Sequence, residues 1–208
     1  MKKLLILCTL LVCFTVVCGF SVYSHTIVLD EDNTIVLQGV INDYAAQQFF
    51  FKFLMLNMNK STKPIYLYIN SPGGSLGSAE AIIEIAKKSR RPVHTISSFA
   101  ASAAFNIVQS LNKRYITSDA VLLTHNAYFS IFRVNPNSSE ELEHAKADIF
   151  PIYERVAKRL KMSNKEYQTF MDASAFVKGE NNIKINTADE IIDIQCTKKL
   201  ILAGDCPY

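Results

Sequence analysis

Tyr66-Leu67-Tyr68-Ile69-Asn70-Ser71-Pro72-Gly73-Gly74 is an apolar run that breaks into a glycine turn. From Pro64 to Asn70 its apolar character is continuous rather than alternating, which predicts a strand covered on both faces. Outward from it, strand and helix patterns alternate. Upstream, Ile35-Val36-Leu37 reads as a short strand ending at Gly39. Asn42 or Asp43 then caps a helix to about Asn59, with Phe49, Phe50, Phe53, Leu54 and Leu56 forming its apolar face. Downstream, Gly77 to about Ser89 has helical spacing through Ala79, Ile82, Ile83 and Ala86. Pro92 opens the strand Val93-His94-Thr95-Ile96, Ser102 to Leu111 is helical, and Tyr115–Thr117 and Val121–Thr124 are short strands. This order predicts an α/β domain with a largely parallel sheet and flanking helices.

Beyond His125 the pattern changes. Tyr128 to Val134 is aromatic and β-prone, and Asn135-Pro136-Asn137 is a turn. Ser138, with Glu141 at capping-box spacing, starts a long helix through Leu142, Ala145, Ile149, Ile152, Val156 and Leu160. Pro151 should kink that helix or restart it as a second one. This helical arm, about residues 128–162, reads as an oligomerisation element.

The 208 residues, 49% apolar and 20% charged, make one globular domain (25–208) behind an N-terminal extension. Lys2 and Lys3 followed by the charge-free run Leu4 to Phe20, with Val22-Tyr23-Ser24 as a cleavage site, have the anatomy of a secretory signal peptide. An uncleaved membrane anchor over 1–24 is the alternative, since the run approaches the roughly 17 residues that span a bilayer. The expected location is therefore periplasmic or secreted, with membrane contact only through this segment. Without residues 1–24 the formal charge falls from +3 to +1. A nearly neutral chain carries no basic footprint for nucleic acid. Cys196 and Cys206 are the two cysteines of the 25–208 domain. In an oxidising compartment they would close a small loop; otherwise they remain two thiols.

Several residues have types suited to chemistry. Ser102 lies in Ala100-Ala101-Ser102-Ala103-Ala104, after a buried strand and at the start of a helix. Small neighbours admit a substrate backbone, and the first amides of the helix offer donors to an oxyanion. Pro72-Gly73-Gly74 presents further amides at the carboxyl end of a parallel strand, where open α/β sheets place ligands. His125 follows Val121-Leu122-Leu123-Thr124 and supplies a base. Serine, histidine and a donor turn are the parts of an acyl-transfer site. Taken singly, each has an ordinary structural reading: a packing serine, a common loop and a core histidine. His25, His94 and His144 read as structural or solvent-facing. No ligand spacing suggests a metal, no phosphate-loop lysine follows the glycines, and no cofactor is implied.

At these residues the sequence resembles the Clp protease proteolytic-subunit family, within the crotonase-like fold. The resemblance runs from about Thr34 to Ala127 and includes Ile35-Val36-Leu37-Gln38-Gly39-Val40-Ile41-Asn42-Asp43, Leu67 to Gly74, Ala101-Ser102 and the His125 strand. It implies Ser102 as nucleophile, His125 as general base, and the Gly74 and Ala103 amides as oxyanion hole. Gly73 and Ser75 fall to substrate binding, and the arm after Ser138 to a handle that interlocks rings of subunits. Asn126-Ala127-Tyr128-Phe129-Ser130-Ile131-Phe132 departs from the family's proline and glycine-rich strand. The family's aspartate should stand near Ile183, before Thr187-Ala188-Asp189-Glu190-Ile191. Here the polar candidates are Asn181, Asn182, Glu180 and Asp172, and Asn182 is chosen. An exported member lacks ATP, so the expectation is an ATP-independent serine endopeptidase, a ring-forming homo-oligomer acting on peptides or unfolded protein segments. The rival readings are an assembly protein that lost its chemistry, an acyl-CoA enzyme on the same fold, and a serine–lysine mechanism for which no lysine recommends itself.

Overall fold

The computed structural model describes residues 25–127 and 139–207, and the side chains of 139–146 are outside the description. The signal or anchor segment, the stretch 128–138 and the Ser138–Glu141 cap therefore lie outside the described residues.

The strand that begins at Ile65 organises everything else. β3 (Ile65–Ser71) pairs in parallel with β2 (Thr34–Gln38) on one side and β4 (Val93–Ala101) on the other. β5 (Arg114–Leu123) extends the sheet in parallel, and β6 (Phe176–Lys178) closes it antiparallel, giving the order β2-β3-β4-β5-β6. The two-residue β7 (Glu190–Ile191) adds to β5. β1 (Thr26–Leu29) and β8 (Asp193–Cys196) form a separate parallel pair.

Successive strand side chains point to opposite faces, and β3 fills two cores accordingly. Leu67 and Ile69 join the main core with Phe49, Phe53, Ile82, Ile83, Ile107, Val108, Val156 and Leu160. Tyr68 points the other way, into a smaller core with Ile27, Leu29, Ile96, Tyr115, Ile192 and Leu200. The continuous apolar reading of this strand is thus a two-sided burial.

The main core is roofed by α1 (Asp43–Met58), α2 (Leu76–Lys87), α3 (Ala103–Ser110), α4 (Ser139–Leu160) and α5 (Asn164–Asp172). Asn42 caps α1 by accepting the Ala45 N–H at 2.9 Å. α5 opens with a capping box in which Ser163 and Glu166 satisfy each other's backbone donors. Two short helices, α6 (Asn181–Lys184) and α7 (Lys198–Leu202), follow.

Two expectations are corrected. The segments Tyr115–Thr117 and Val121–Thr124 form one strand, β5, rather than two. It bulges against β4: between the pairs Ser97–Ile116 and Phe99–Val121, β4 advances two residues while β5 advances five. The long helix does not restart at Pro151, because α4 is a single helix through it. Ile152, Val156, Ala157 and Leu160 continue one buried stripe beyond the proline, and that packing offsets the missing backbone donor.

Around Arg114, a fully buried cation is satisfied by several acceptors. Its guanidinium donates to Gln109 Oε1 (2.7 Å), Asn186 O (2.8 Å), Asn186 Oδ1 (3.0 Å) and Asp189 Oδ1 (2.5 Å), while Arg159 of α4 reaches Asp189 Oδ2 (3.3 Å). At the C-terminus, Cys196 and Cys206 are joined by a disulfide with a Cα–Cα distance of 6.0 Å.

Candidate active site

The carboxyl ends of β3, β4 and β5 meet at one cavity of about 620 Å³. Pro72, Gly74 and Ser75 come from the turn after β3, Ser102 and Ala103 from the β4–α3 junction, and Thr124, His125 and Ala127 from the end of β5. Ligands in open parallel sheets bind at this end.

The serine sits in an unusual backbone. Ser102 has φ 56° and ψ −121°, one residue after β4 ends and one before α3 begins. A β-carbon is strained there, and such conformations persist only where the surroundings fix them. Here the Ser102 N–H donates to Leu123 O (3.0 Å) and its carbonyl accepts from Asn106 N (3.3 Å). The Ser102 side chain makes no capping bond to α3. The first-turn amides of α3, Ala103 among them, therefore stay available to a negative charge at the helix's positive end.

The glycine turn is pressed against that serine. A β-carbon on Gly73 would lie 2.5 Å from Ala101 O, 2.8 Å from Ser102 Cβ and 2.9 Å from Ala103 N, and its φ of +94° also requires glycine. Gly73 itself is fully engaged, donating to Ser71 Oγ (3.0 Å) and accepting from Ile41 N (2.8 Å). These contacts give Gly73 a packing role, and only its carbonyl oxygen keeps a further lone pair. Gly74 lines the cavity with φ +143°, and among the described residues its N–H has no acceptor. Ser75 also lines the cavity, but its hydroxyl caps α2 by accepting the Ser78 N–H at 3.2 Å.

His125 shares the cavity with Ser102. Its Nδ1 stands 2.6 Å from the carbonyl oxygen of Asn126, a contact in which a protonated Nδ1 donates to that oxygen. Asn126 is held in turn: its Nδ2 donates to Asp172 Oδ1 (2.6 Å) and its Oδ1 accepts from Gln168 Nε2 (2.9 Å). The Asn126 hydrogen bond, then that from Gln168, holds the Asp172 carboxyl below the usual carboxylate range.

Asn182 is not brought to His125. It is buried on α6, its Nδ2 donating to Val177 O (3.3 Å) and Gly179 O (2.9 Å) and its Oδ1 accepting from Thr187 Oγ1 (2.8 Å). All its capacity goes to holding the β6–α6 turn, so its expected triad role is corrected to a structural one. Asp172, a rejected candidate, is the acid that reaches the histidine's neighbour.

Sequence reasoning missed the far wall, made by Asn106, Asp148, Ile149, Tyr153 and Tyr167. Tyr153 accepts the Ala127 N–H at 2.9 Å, fixing the chain after His125. Tyr167 bonds Thr124 Oγ1 at 3.1 Å, and burial pushes its phenol well up. The two tyrosines recur on neighbouring helices, but only packing of α4 on α5 turns both toward β5. Among the described residues no group of His, Cys, Asp and Glu could hold a metal, and no helix is long and apolar enough to cross a membrane.

A family model described as Clp protease matches residues 19–195. The chain belongs to the Clp protease family. Members similar to it include the ATP-dependent Clp protease proteolytic subunits of Streptococcus mutans serotype c, 33% identical, and Streptococcus sanguinis, 31% identical. Both alignments cover 110 residues, 51% of this chain and 55% of the relative. The chain thus spans about half the length of the curated relatives it matches. The mainly parallel sheet with flanking helices is that of a Clp-type subunit.

Proposed function

We propose that this protein is a serine peptidase in which Ser102 attacks the peptide carbonyl and His125 moves the proton. The observation that carries the reading is the convergence of Ser102, His125, Gly74 and Ala103 on one cavity, with the serine in a strained backbone between strand and helix.

The Ser102 hydroxyl adds to the scissile carbonyl while its proton passes to His125 Nε2. The oxyanion lies between the Gly74 and Ala103 amides, where one such donor contributes about 3 kcal/mol of barrier lowering. His125 then protonates the leaving amine, and an acyl ester remains on Ser102. Water, deprotonated by the same nitrogen, hydrolyses that ester and restores the enzyme. The Asn126 carbonyl orients the ring through Nδ1.

Peptides and unfolded protein segments are the substrate class we propose, acted on by a ring of identical subunits without ATP. Export supports the last point. The sequence anatomy of residues 1–24 and a disulfide between Cys196 and Cys206 both suit an oxidising compartment, periplasmic or extracellular. One observation favours an assembly protein without chemistry: Asn182, taken as the third member, is committed elsewhere.

Fluorophosphonate labelling of the full chain, with native mass measured on the same sample, separates the two. Labelling and peptide hydrolysis that vanish in Ser102→Ala, with the fold retained, support the peptidase. Ring-sized particles that never label support the assembly protein.

A further inference from the structure

The cavity that Ser102 lines carries a charge that the chemistry above does not use. Asp148 lines it from α4, one residue before Ile149 and five before Tyr153, and its side chain is exposed to the cavity and solvent. Among the described residues its carboxylate has no hydrogen-bond or ion-pair partner. The nearby cation on the same helix, Arg155, is committed to Glu80 through two bonds of 2.9 and 2.6 Å.

Among the described residues, the rest of the lining holds no other carboxylate and no lysine or arginine. Leu76, Ala103, Ala127 and Ile149 are apolar, the Tyr153 hydroxyl accepts from the Ala127 amide, and the Tyr167 hydroxyl bonds Thr124. Asp148 is therefore the one formal negative charge among the described lining residues, set in walls of aliphatic and aromatic surface. A volume of about 620 Å³ lies within the range of roughly 300–1,000 Å³ typical of ligand pockets.

We propose that Asp148 is a specificity-determining residue that selects a lysine or arginine side chain next to the scissile bond. Resting on the peptidase reading, this names the substrate class of the same site. The long stem of such a side chain lies along the apolar wall and the tyrosine rings while its cationic head meets the carboxylate. An apolar side chain in the same place strips water from the carboxylate and gives nothing back, and an acidic one meets a like charge. Discrimination then comes from both attraction and exclusion.

The test uses the full chain and peptides identical except for arginine, its neutral isostere citrulline, or glutamate at the residue preceding the scissile bond, or at the one following it. The expected result is a kcat/KM at least about tenfold higher for arginine than for citrulline, consistent with one charged hydrogen bond. The ratio should collapse in Asp148→Asn and turn toward glutamate in Asp148→Lys. A preference unchanged by Asp148→Asn, or a preference for citrulline in the unaltered chain, overturns the proposal. Affinity of the same peptides for Ser102→Ala, read by fluorescence anisotropy, does not need catalysis. If the unaltered chain neither hydrolyses nor labels, the peptidase reading fails. The arginine-to-citrulline affinity ratio still decides on Asp148: loss of that ratio in Ser102→Ala/Asp148→Asn supports it, and equal binding or none overturns it.

Discussion

Nδ1 of His125 lies 2.6 Å from the carbonyl oxygen of Asn126, so the ring is oriented by the residue that follows it in the chain. That carbonyl is only as well placed as Asn126, whose side chain is clamped by Asp172 and Gln168. Asp172 is therefore a positioning residue acting through Asn126. Asp172→Ala should lower kcat about tenfold, with KM little changed. Asp172→Asn keeps an acceptor oxygen and should retain most of the rate. Steady-state kinetics of both variants checks this; equal losses in the two would remove the positioning role.

Two glycines with positive φ allow a controlled comparison. Gly73→Ala must displace Ala101 O, Ser102 Cβ or Ala103 N, whereas a β-carbon at Gly39 (φ +80°) meets nothing within 4 Å. Gly39→Ala should cost only the backbone strain of about 1–2 kcal/mol and leave serine labelling normal. Gly73→Ala should cost more and abolish labelling, because the donors and the nucleophile shift together. Urea denaturation and fluorophosphonate labelling of both proteins distinguish a site effect from a fold effect.

Much of this was legible in the sequence because its signals are local. The continuous apolar run to Asn70 predicted a two-sided strand, and Leu67 and Tyr68 do fill opposite cores. The pair Asn42-Asp43 announced the start of α1, and Asn42 is the one that caps it. Which polar residue attends His125 was not legible, since it depends on where side chains turn after the chain has folded. Asn182 stands at the right spacing yet spends its amide on Val177, Gly179 and Thr187. Asp172, ten residues earlier, reaches Asn126 because α5 runs beside the end of β5. Asp148 and Tyr153 were hidden for the same reason: a helix pattern gives the period of a face, not which cavity that face overlooks.

The Cys196–Cys206 disulfide closes the C-terminal segment that carries α7, and the buried Leu200 of that helix fills the smaller core. A crosslink over so short a loop contributes on the order of 2–3 kcal/mol. The active cavity is built from other elements. Reduction, or Cys206→Ser, should make residues 197–207 exchange amide hydrogens faster and become sensitive to proteolysis, while labelling at Ser102 persists. Mass-resolved hydrogen exchange with and without reductant reads this directly. Protection at Leu200 unchanged by reductant would show that apolar packing alone holds the segment.

Asp189 ties α4 to the sheet, since its carboxylate bonds the buried Arg114 through side chain (2.5 Å) and backbone N–H (2.9 Å) and also Arg159 (3.3 Å). Burial works to raise its pKa, but the Arg114 hydrogen bonds and the charges of Arg114 and Arg159 outweigh it and hold the carboxyl below the usual range. A depressed folded pKa contributes stability that is fully present above the unfolded value, near 3.9, and is lost as pH falls through the folded one. Asp189→Asn takes the paired carboxylate from the Arg114 guanidinium, whose side chain is 2% exposed, and leaves it the neutral acceptors of Gln109 and Asn186. The cost at pH 7 should be about 3 kcal/mol, the low end for a broken buried pair because Asp189 itself is 27% exposed. The gap between wild type and variant should hold from pH 7 to about 5 and narrow below about 4, where the unfolded chain takes up a proton that the folded carboxylate does not yet bind. Denaturant titrations across that range check the sign. A gap that widens on acidification would mean that Asp189 does not stabilise the fold through its charge.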